Sequence, residues 1–104
     1  MMDRPFHPGN PSTTISVTGS PTATALTGGG APTRQTVELQ NAGSLWVFVD
    51  FGTSSGVTTA VATGYPVGPG QSKLVTIPAG YTHIAAIGSA AGPTTLYVTV
   101  GMGI

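Results

Sequence analysis

The sequence predicts an all-β fold, a single antiparallel sandwich of two sheets, on three grounds. Residues that favour strands (Val, Ile, Thr, Tyr and Phe) fall in short runs, and in most runs apolar and polar side chains alternate. Gly and Pro, which number 16 and 9 among the 104 residues, separate the runs and favour turns. No helix-sized segment repeats its apolar positions at the helical period of about 3.6 residues. A chain of this length is expected to form one domain.

The N-terminal segment, residues 1–12, is predicted to be an extended arm attached to a sandwich domain of residues 13–104. Pro5, Pro8 and Pro11 each lack a backbone N–H, which argues against both a helix and a paired strand in this segment. Two interpretations of the arm remain open: a frayed terminus, or a segment that docks on a neighbouring subunit.

The first three strands are predicted from short runs bounded by Gly and Pro. Thr13–Thr18 places Ile15 and Val17 on one face, and the weaker run Thr22–Thr27 alternates Ala and Leu with Thr. Thr33–Gln40 follows a Gly-rich loop and alternates in the same way. Each of these strands is therefore expected to turn one face to the core and the other face outward.

The stretch Thr36–Gly52 gives the clearest strand–turn–strand signal and is predicted to be a hairpin. Asn41 and Gly43 suit the positive φ angles of a tight turn. The strand that follows, Leu45–Phe51, is apolar on both faces: Leu45, Val47, Val49 and Phe51 on one, Trp46 and Phe48 on the other. Because such a strand is covered on both faces, the outer face is expected to lie under a loop, the N-terminal arm or another subunit.

Four more strands complete the prediction: Val57–Ala62, Lys73–Ile77, Thr82–Ile87 and Thr95–Val100. The first of them is weak because it has few large side chains, and residues 64–70, rich in Gly and Pro, are predicted to be a long turn. A total of about eight short strands fits a jelly roll or an immunoglobulin-like sandwich, and the count favours the jelly roll.

Charge is scarce in this chain, and the formal net charge is zero. The charged residues are Asp3, Arg4, Arg34, Glu38, Asp50 and Lys73. A soluble monomer usually shows about 25–35% charged residues on its surface, so a neutral surface favours permanent contact with other protein. Without a basic stripe, a nucleic-acid partner is not expected. The chain has no Cys, and no apolar run approaches the ~20 residues of a membrane helix.

Candidates for catalysis and ligand binding are few. His7 and His83 have no second metal ligand nearby in the sequence, so no metal or other cofactor is expected. Glu38 and Asp50 could approach each other through the predicted hairpin, but nothing suggests the pocket that general acid–base catalysis requires, and the chain is not expected to be an enzyme. The aromatic side chains allow two interpretations, a sugar-binding platform or core and interface residues: Trp46, Tyr65, Tyr81 and Tyr97.

Three segments together resemble small β-rich structural proteins of tailed bacteriophages: TVELQNAGSLWVFVDFG, VGPGQSKLVTIPAGYTHIAAIG and TTLYVTVGMG. The shared features are turn and strand signatures: Asn41 with Gly43, Phe48–Gly52, Pro69–Ser72, Ile77–Gly80, Thr82–Ile87 and Leu96–Gly103. The resemblance covers residues 33–104, and residues 1–32 contribute little to it.

The resemblance implies a capsid decoration or cement protein, made in the bacterial host cytoplasm and located on the capsid surface of the virion. The implied partners are the major capsid protein and further copies of the same chain, as a dimer or trimer. The alternatives are a tail, head-fibre or baseplate component, or a carbohydrate-binding module. The candidate protein-interface residues are Phe6, His7, Trp46, Phe48, Tyr65, Tyr81 and His83.

Overall fold

The computed structural model describes residues 11–101, and this part of the chain contains eight strands and no helix. The strands are β1 (Thr13–Val17), β2 (Thr22–Ala25), β3 (Gln35–Asn41), β4 (Val47–Gly52), β5 (Tyr65–Val67), β6 (Ser72–Ile77), β7 (His83–Gly88) and β8 (Thr94–Gly101). Every predicted strand except the fifth has its counterpart, with ends that differ by at most two residues. The all-β prediction is confirmed.

The strands form two four-stranded antiparallel sheets, sheet 1 in the order β1-β8-β3-β6 and sheet 2 in the order β2-β7-β4-β5. Strands pair from the two ends of the chain inward: β1 with β8, β2 with β7, β3 with β6 and β4 with β5. Two further pairings, β3 with β8 and β4 with β7, complete the sheets. This is one long antiparallel ribbon folded over on itself, which is the topology of a jelly roll and differs from the immunoglobulin order.

The core lies between the inner faces of the two sheets and is almost entirely aliphatic. Its buried members are Ile15, Val17, Leu26, Val37, Leu39, Val47, Val49, Val67, Ile77, Ile84, Ala86, Leu96, Val98 and Val100. Each large aliphatic side chain buried here stabilises the fold by about 1.5–3 kcal/mol relative to exposure. The predicted core face of β4 is confirmed at Val47 and Val49, which are fully buried, and at Phe51, which packs against the core. Leu45, predicted for the same face, is half-buried and precedes the strand.

The predicted fifth strand, Val57–Ala62, is wrong. Residues 57–62 have no strand structure, and the N–H groups of Thr63 and Gly64 instead donate to the carbonyl of Ala60 in a local turn. The fifth strand, β5, lies within the stretch predicted to be a turn and pairs with β4. Pro66 is tolerated in it because β5 is the edge strand of sheet 2, where a missing N–H breaks no ladder.

The predicted hairpin is also wrong, because β3 and β4 lie in different sheets. The buried Asn41 side chain holds the connection between them: its Nδ2 donates to the carbonyls of Leu45 (2.7 Å) and Val67 (3.0 Å). Its Oδ1 accepts from the N–H of Gly43 (3.0 Å), which makes an Asx turn. The chain is thereby carried from one sheet to the other instead of folding back beside β3.

Gly43 allows the chain to cross between the sheets because it has no side chain. Its φ angle is not positive, contrary to the prediction, and neither is that of Asn41; the positive φ angles of residues 11–101 belong to Gly28, Gly30, Gly70 and Gly80. A Cβ at position 43 would instead lie 2.7 Å from the Cβ of Thr94. The connection therefore packs against the start of β8 more closely than any side chain would allow.

Candidate protein-binding face

The outer face of sheet 2 is built mainly from small and apolar side chains. Cross-strand pairs set its composition: Phe48 lies beside Ile87, and Asp50 lies beside Ala85. The full set, here called the Phe48 face, is Ala23, Ala25, Phe48, Asp50, Pro66, His83, Ala85 and Ile87. Ala85 is completely buried, and the other seven residues are half-buried or exposed. Only Asp50 and His83 are polar, so most of the exposed part of this face cannot form hydrogen bonds with water through its side chains.

Trp46 adds the largest exposed apolar side chain to the Phe48 face. Its carbonyl accepts a hydrogen bond from the N–H of Ser89 (2.9 Å), which continues the β4–β7 ladder by one step beyond β4. Trp46 precedes Phe48 by two residues, so both side chains point outward from the same face of the sheet, as the sequence predicted. The Trp46 side chain is 45% exposed, and its ring reaches the turn at Gly68, where a Cβ would lie 3.1 Å from the ring.

A loop covers part of the Phe48 face. Gly64, the last residue before β5, passes so close that a Cβ there would lie 2.8 Å from the Cβ of Phe48. At the other end of the loop, a Cβ on Gly52 would lie 2.7 Å from that of Val57. Of the three covers predicted for this face, the loop is therefore present beside Phe48, which is half-buried, while Trp46 stays exposed.

The covering loop contains a buried hydroxyl without a partner. Thr59 is 7% exposed, and within residues 11–101 nothing accepts from or donates to its Oγ1. Thr59→Val keeps the shape and removes an unsatisfied polar group, so it is expected to raise the free energy of unfolding by about 1 kcal/mol. Urea denaturation followed by circular dichroism measures the change.

Thr99→Val is the matched control for Thr59→Val. Thr99 is similarly buried, but its Oγ1 is hydrogen-bonded to Ser12 Oγ at 2.6 Å. This variant is expected to lower the free energy of unfolding by about 1 kcal/mol. If both variants lost stability alike, the Thr59 hydroxyl would have a partner and the explanation would be wrong.

The other predicted interface residues lie in different places. His83 belongs to the Phe48 face and is half-buried, with its Nδ1 2.7 Å from Thr82 Oγ1. Tyr81 is half-buried and packs against the core. Phe6 and His7 lie outside the described residues.

Tyr65 lies at the open side of the sandwich, on the edge strand β5. It is 42% exposed, and Lys73 of β6 places its Nζ 4.9 Å from the ring centroid. The same Nζ donates to the carbonyl of Pro66 at 3.0 Å. Lys73 and Tyr65 therefore bridge the two sheets at this edge, and a cation over an aromatic ring stabilises such a contact by about 0.5–1 kcal/mol.

The outer face of sheet 1 has the opposite character. It carries a shallow groove of about 360 Å³, lined by Ser12, Thr14, Glu38, Gln40, Tyr97 and Thr99. The sequence predicted that several of these side chains point outward, but it did not predict that they lie close together in the fold. The alternation within each strand gave the outward positions, whereas the pairing of β8 with both β1 and β3 brings them together.

The conceivable carboxylate pair is not formed. Glu38 points outward from sheet 1 and Asp50 outward from sheet 2, and packed sheets are themselves about 10 Å apart. Inverting and retaining glycosidases place their carboxylates at most about 9.5 Å apart, so these two cannot act together. Among residues 11–101 there is no cluster of three or more His, Asp or Glu side chains that could hold a metal ion.

Comparison with models of protein families finds no match, and no curated protein is significantly similar to this sequence. Within the described residues, no helix is long and apolar enough to cross a membrane. A jelly roll alone does not define an activity, because the same fold serves unrelated functions.

Proposed function

We propose that this chain is a non-enzymatic structural protein of a bacteriophage virion, a capsid decoration or cement protein. In this role it binds the outer capsid surface and stabilises contacts between neighbouring major capsid subunits. The observation that carries the proposal is the exposed Trp46 beside the small and apolar side chains of the Phe48 face. The resemblance of residues 33–104 to small phage structural proteins supplies the biological setting.

The Phe48 face has the composition of an interface centre. Such centres are depleted in charged residues and enriched in aromatic ones, and Trp is among the residues that contribute most to binding energy. Asp50 is the only residue of this face that carries a formal charge at neutral pH with His counted as neutral. Burying this face against a partner therefore removes apolar area from water, worth about 25 cal/mol per Å², while desolvating little charge.

The partner in this proposal is the major capsid protein, with copies of the same chain joined as a dimer or trimer. A capsid repeats each attachment site many times, so joined copies can occupy neighbouring sites at once, and the second contact is then intramolecular and strengthens attachment. The free energy gained at one site is reduced by the entropy lost on association and by ordering of side chains.

The experiment that tests the proposal is a quantitative protein inventory of purified particles of the phage that encodes this chain. A decoration protein is expected at a copy number comparable to that of the major capsid protein. A copy number set by one vertex or by the tail would overturn the proposal in favour of a portal, tail or baseplate component. Absence from washed particles would overturn a structural role in the virion altogether.

A further inference from the structure

The groove on the outer face of sheet 1 is formed by two neighbouring rows of outward side chains. In the first row Tyr97 of β8 lies between Thr14 of β1 and Gln40 of β3. In the second row Thr99 lies beside Glu38. Side chains directly opposite each other on adjacent strands have Cβ atoms about 4.5–5.5 Å apart. The Tyr97 ring is therefore surrounded by hydroxyl, amide and carboxylate groups.

The side chains of Thr14, Glu38 and Gln40 remain available to a ligand. In the described part of the chain, the one side-chain hydrogen bond between lining residues joins Ser12 and Thr99. Glu38 is only half-buried, and Tyr97 is 37% exposed in the middle strand pair of the sheet. A Gln amide both donates and accepts hydrogen bonds, and a carboxylate accepts them from several directions.

The charge of the groove excludes several classes of ligand. Among residues 11–101 no Lys or Arg lines it, and Glu38 repels anions, so these residues suit neither phosphate groups nor nucleic acid. The central strands beneath the groove, β8 and β3, are paired on both sides, so their backbone groups are not free to add a peptide strand. The third strand, β1, has a free edge, but a peptide added there would extend the sheet beside the groove and would not fill it. What remains is a small neutral molecule with one apolar surface and several hydroxyl groups.

We propose that this groove binds a neutral saccharide unit. The C–H face of a pyranose ring stacks on Tyr97, while Glu38 and Gln40 form hydrogen bonds with its hydroxyl groups. The volume of about 360 Å³ lies at the lower end of the roughly 300–1,000 Å³ of small-molecule sites, which suits one or two sugar units. The aromatic residues Trp46, Tyr65, Tyr81 and Tyr97 do not form a common platform. Of these four, only Tyr97 lines the groove.

This site is independent of the proposed capsid attachment, because it lies on the opposite side of the sandwich. A chain bound through the Phe48 face would leave the Tyr97 groove facing away from its partner. The two proposals can therefore fail separately.

The test is an NMR titration of the full-length, ¹⁵N-labelled chain with the methyl glycosides of glucose, galactose, mannose and N-acetylglucosamine. At least one glycoside is expected to give saturable shifts confined to β1, β3 and β8, with a Kd on the order of 1–10 mM. Tyr97→Ala is expected to weaken this binding at least about tenfold, equivalent to 1.4 kcal/mol, and Tyr97→Phe to retain most of it, because Phe keeps the stacking surface. Val61→Ala, which shortens a similarly exposed apolar side chain in the loop that covers part of the Phe48 face, should leave the Kd unchanged.

Two outcomes would overturn the saccharide proposal. One is the absence of saturable shifts with all four glycosides. The other is binding by Tyr97→Ala equal to that of the natural chain, which would place the sugar elsewhere. The spectrum of each variant without sugar shows whether it is folded, so a loss of binding is not confused with a loss of structure.

Discussion

Asn41→Asp is expected to lower the free energy of unfolding by about 3–5 kcal/mol, the cost of leaving a buried charge without compensation. Asn41 is completely buried, and its Nδ2 donates to the carbonyls of Leu45 and Val67. The substitution keeps the shape of the side chain but turns this donor into an oxygen that faces two carbonyl oxygens. Both carbonyls lose their partner and the new carboxylate is repelled, which for a domain of this size lowers Tm by more than about 12 °C.

Thermal and urea unfolding followed by circular dichroism measure the effect of Asn41→Asp. Gln40→Ala is the matched control, since Gln40 is the preceding residue in β3 and its side chain is exposed on the outer face. Its effect should stay within about 0.5 kcal/mol. Equal stability of the two variants would show that the Asn41 side chain does not hold the crossing between the sheets.

Asn41 also marks the limit of what the sequence could predict about the fold. Asn and Gly at positions 41 and 43 correctly indicated a turn, because the Asx turn is a local property. Whether the chain returns within the same sheet depends on which strands pair with β3. Those partners are β6 and β8, and Asn41 itself lies opposite Leu96. Pairing over such a distance in sequence has no local signature.

The fifth strand was missed for a related reason. Local rules favour a turn around Pro66, because Gly64 and Gly68 lie two residues to either side of it. The Val and Thr residues at 57–62 favour a strand there. The edge position of β5 removes the penalty for Pro, and the pairing of Val67 with Val47 buries one face of the short strand. Tertiary context therefore reversed both assignments.

The outer faces were predictable in part. Alternation along β4 placed Trp46 and Phe48 opposite the core-facing Val47 and Val49, and this is confirmed. The Tyr97 groove was not predictable, because its residues come from β1, β3 and β8 and meet only through the strand order. A single strand shows which residues point outward, but not which neighbours they have.

Trp46→Ala is expected to weaken attachment to capsids about 30-fold or more while leaving the sandwich folded. Truncating an aromatic residue at the centre of an interface typically costs 2 kcal/mol or more, and 1.4 kcal/mol corresponds to a factor of ten in Kd. The assay uses particles of the same phage that lack the protein, to which the purified chain is added at increasing concentration. The fraction bound after sedimentation gives the Kd for each variant.

Leu74→Ala is the matched control for attachment, because the two side chains are almost equally exposed, 45% for Trp46 and 43% for Leu74. They differ in the sheet they belong to: Leu74 lies on sheet 1 and Trp46 precedes the β4 strand of sheet 2. Loss of attachment in Leu74→Ala with normal attachment of Trp46→Ala would place the docking surface on sheet 1 and contradict the proposed face. An equal loss of attachment in both variants would also contradict the proposed face, because the capsid would then not bind sheet 2 in preference to sheet 1.

Stability measurements separate docking from folding in the same pair of variants. Trp46 is not part of the buried core cluster, so removing its ring should change the free energy of unfolding by much less than the 3–5 kcal/mol typical of a buried aromatic residue. A residue that contributes little to folding, yet leaves a large apolar surface in water, is maintained at the expense of solubility. Weak attachment by a fully stable Trp46→Ala chain would therefore assign that surface to a partner rather than to the fold.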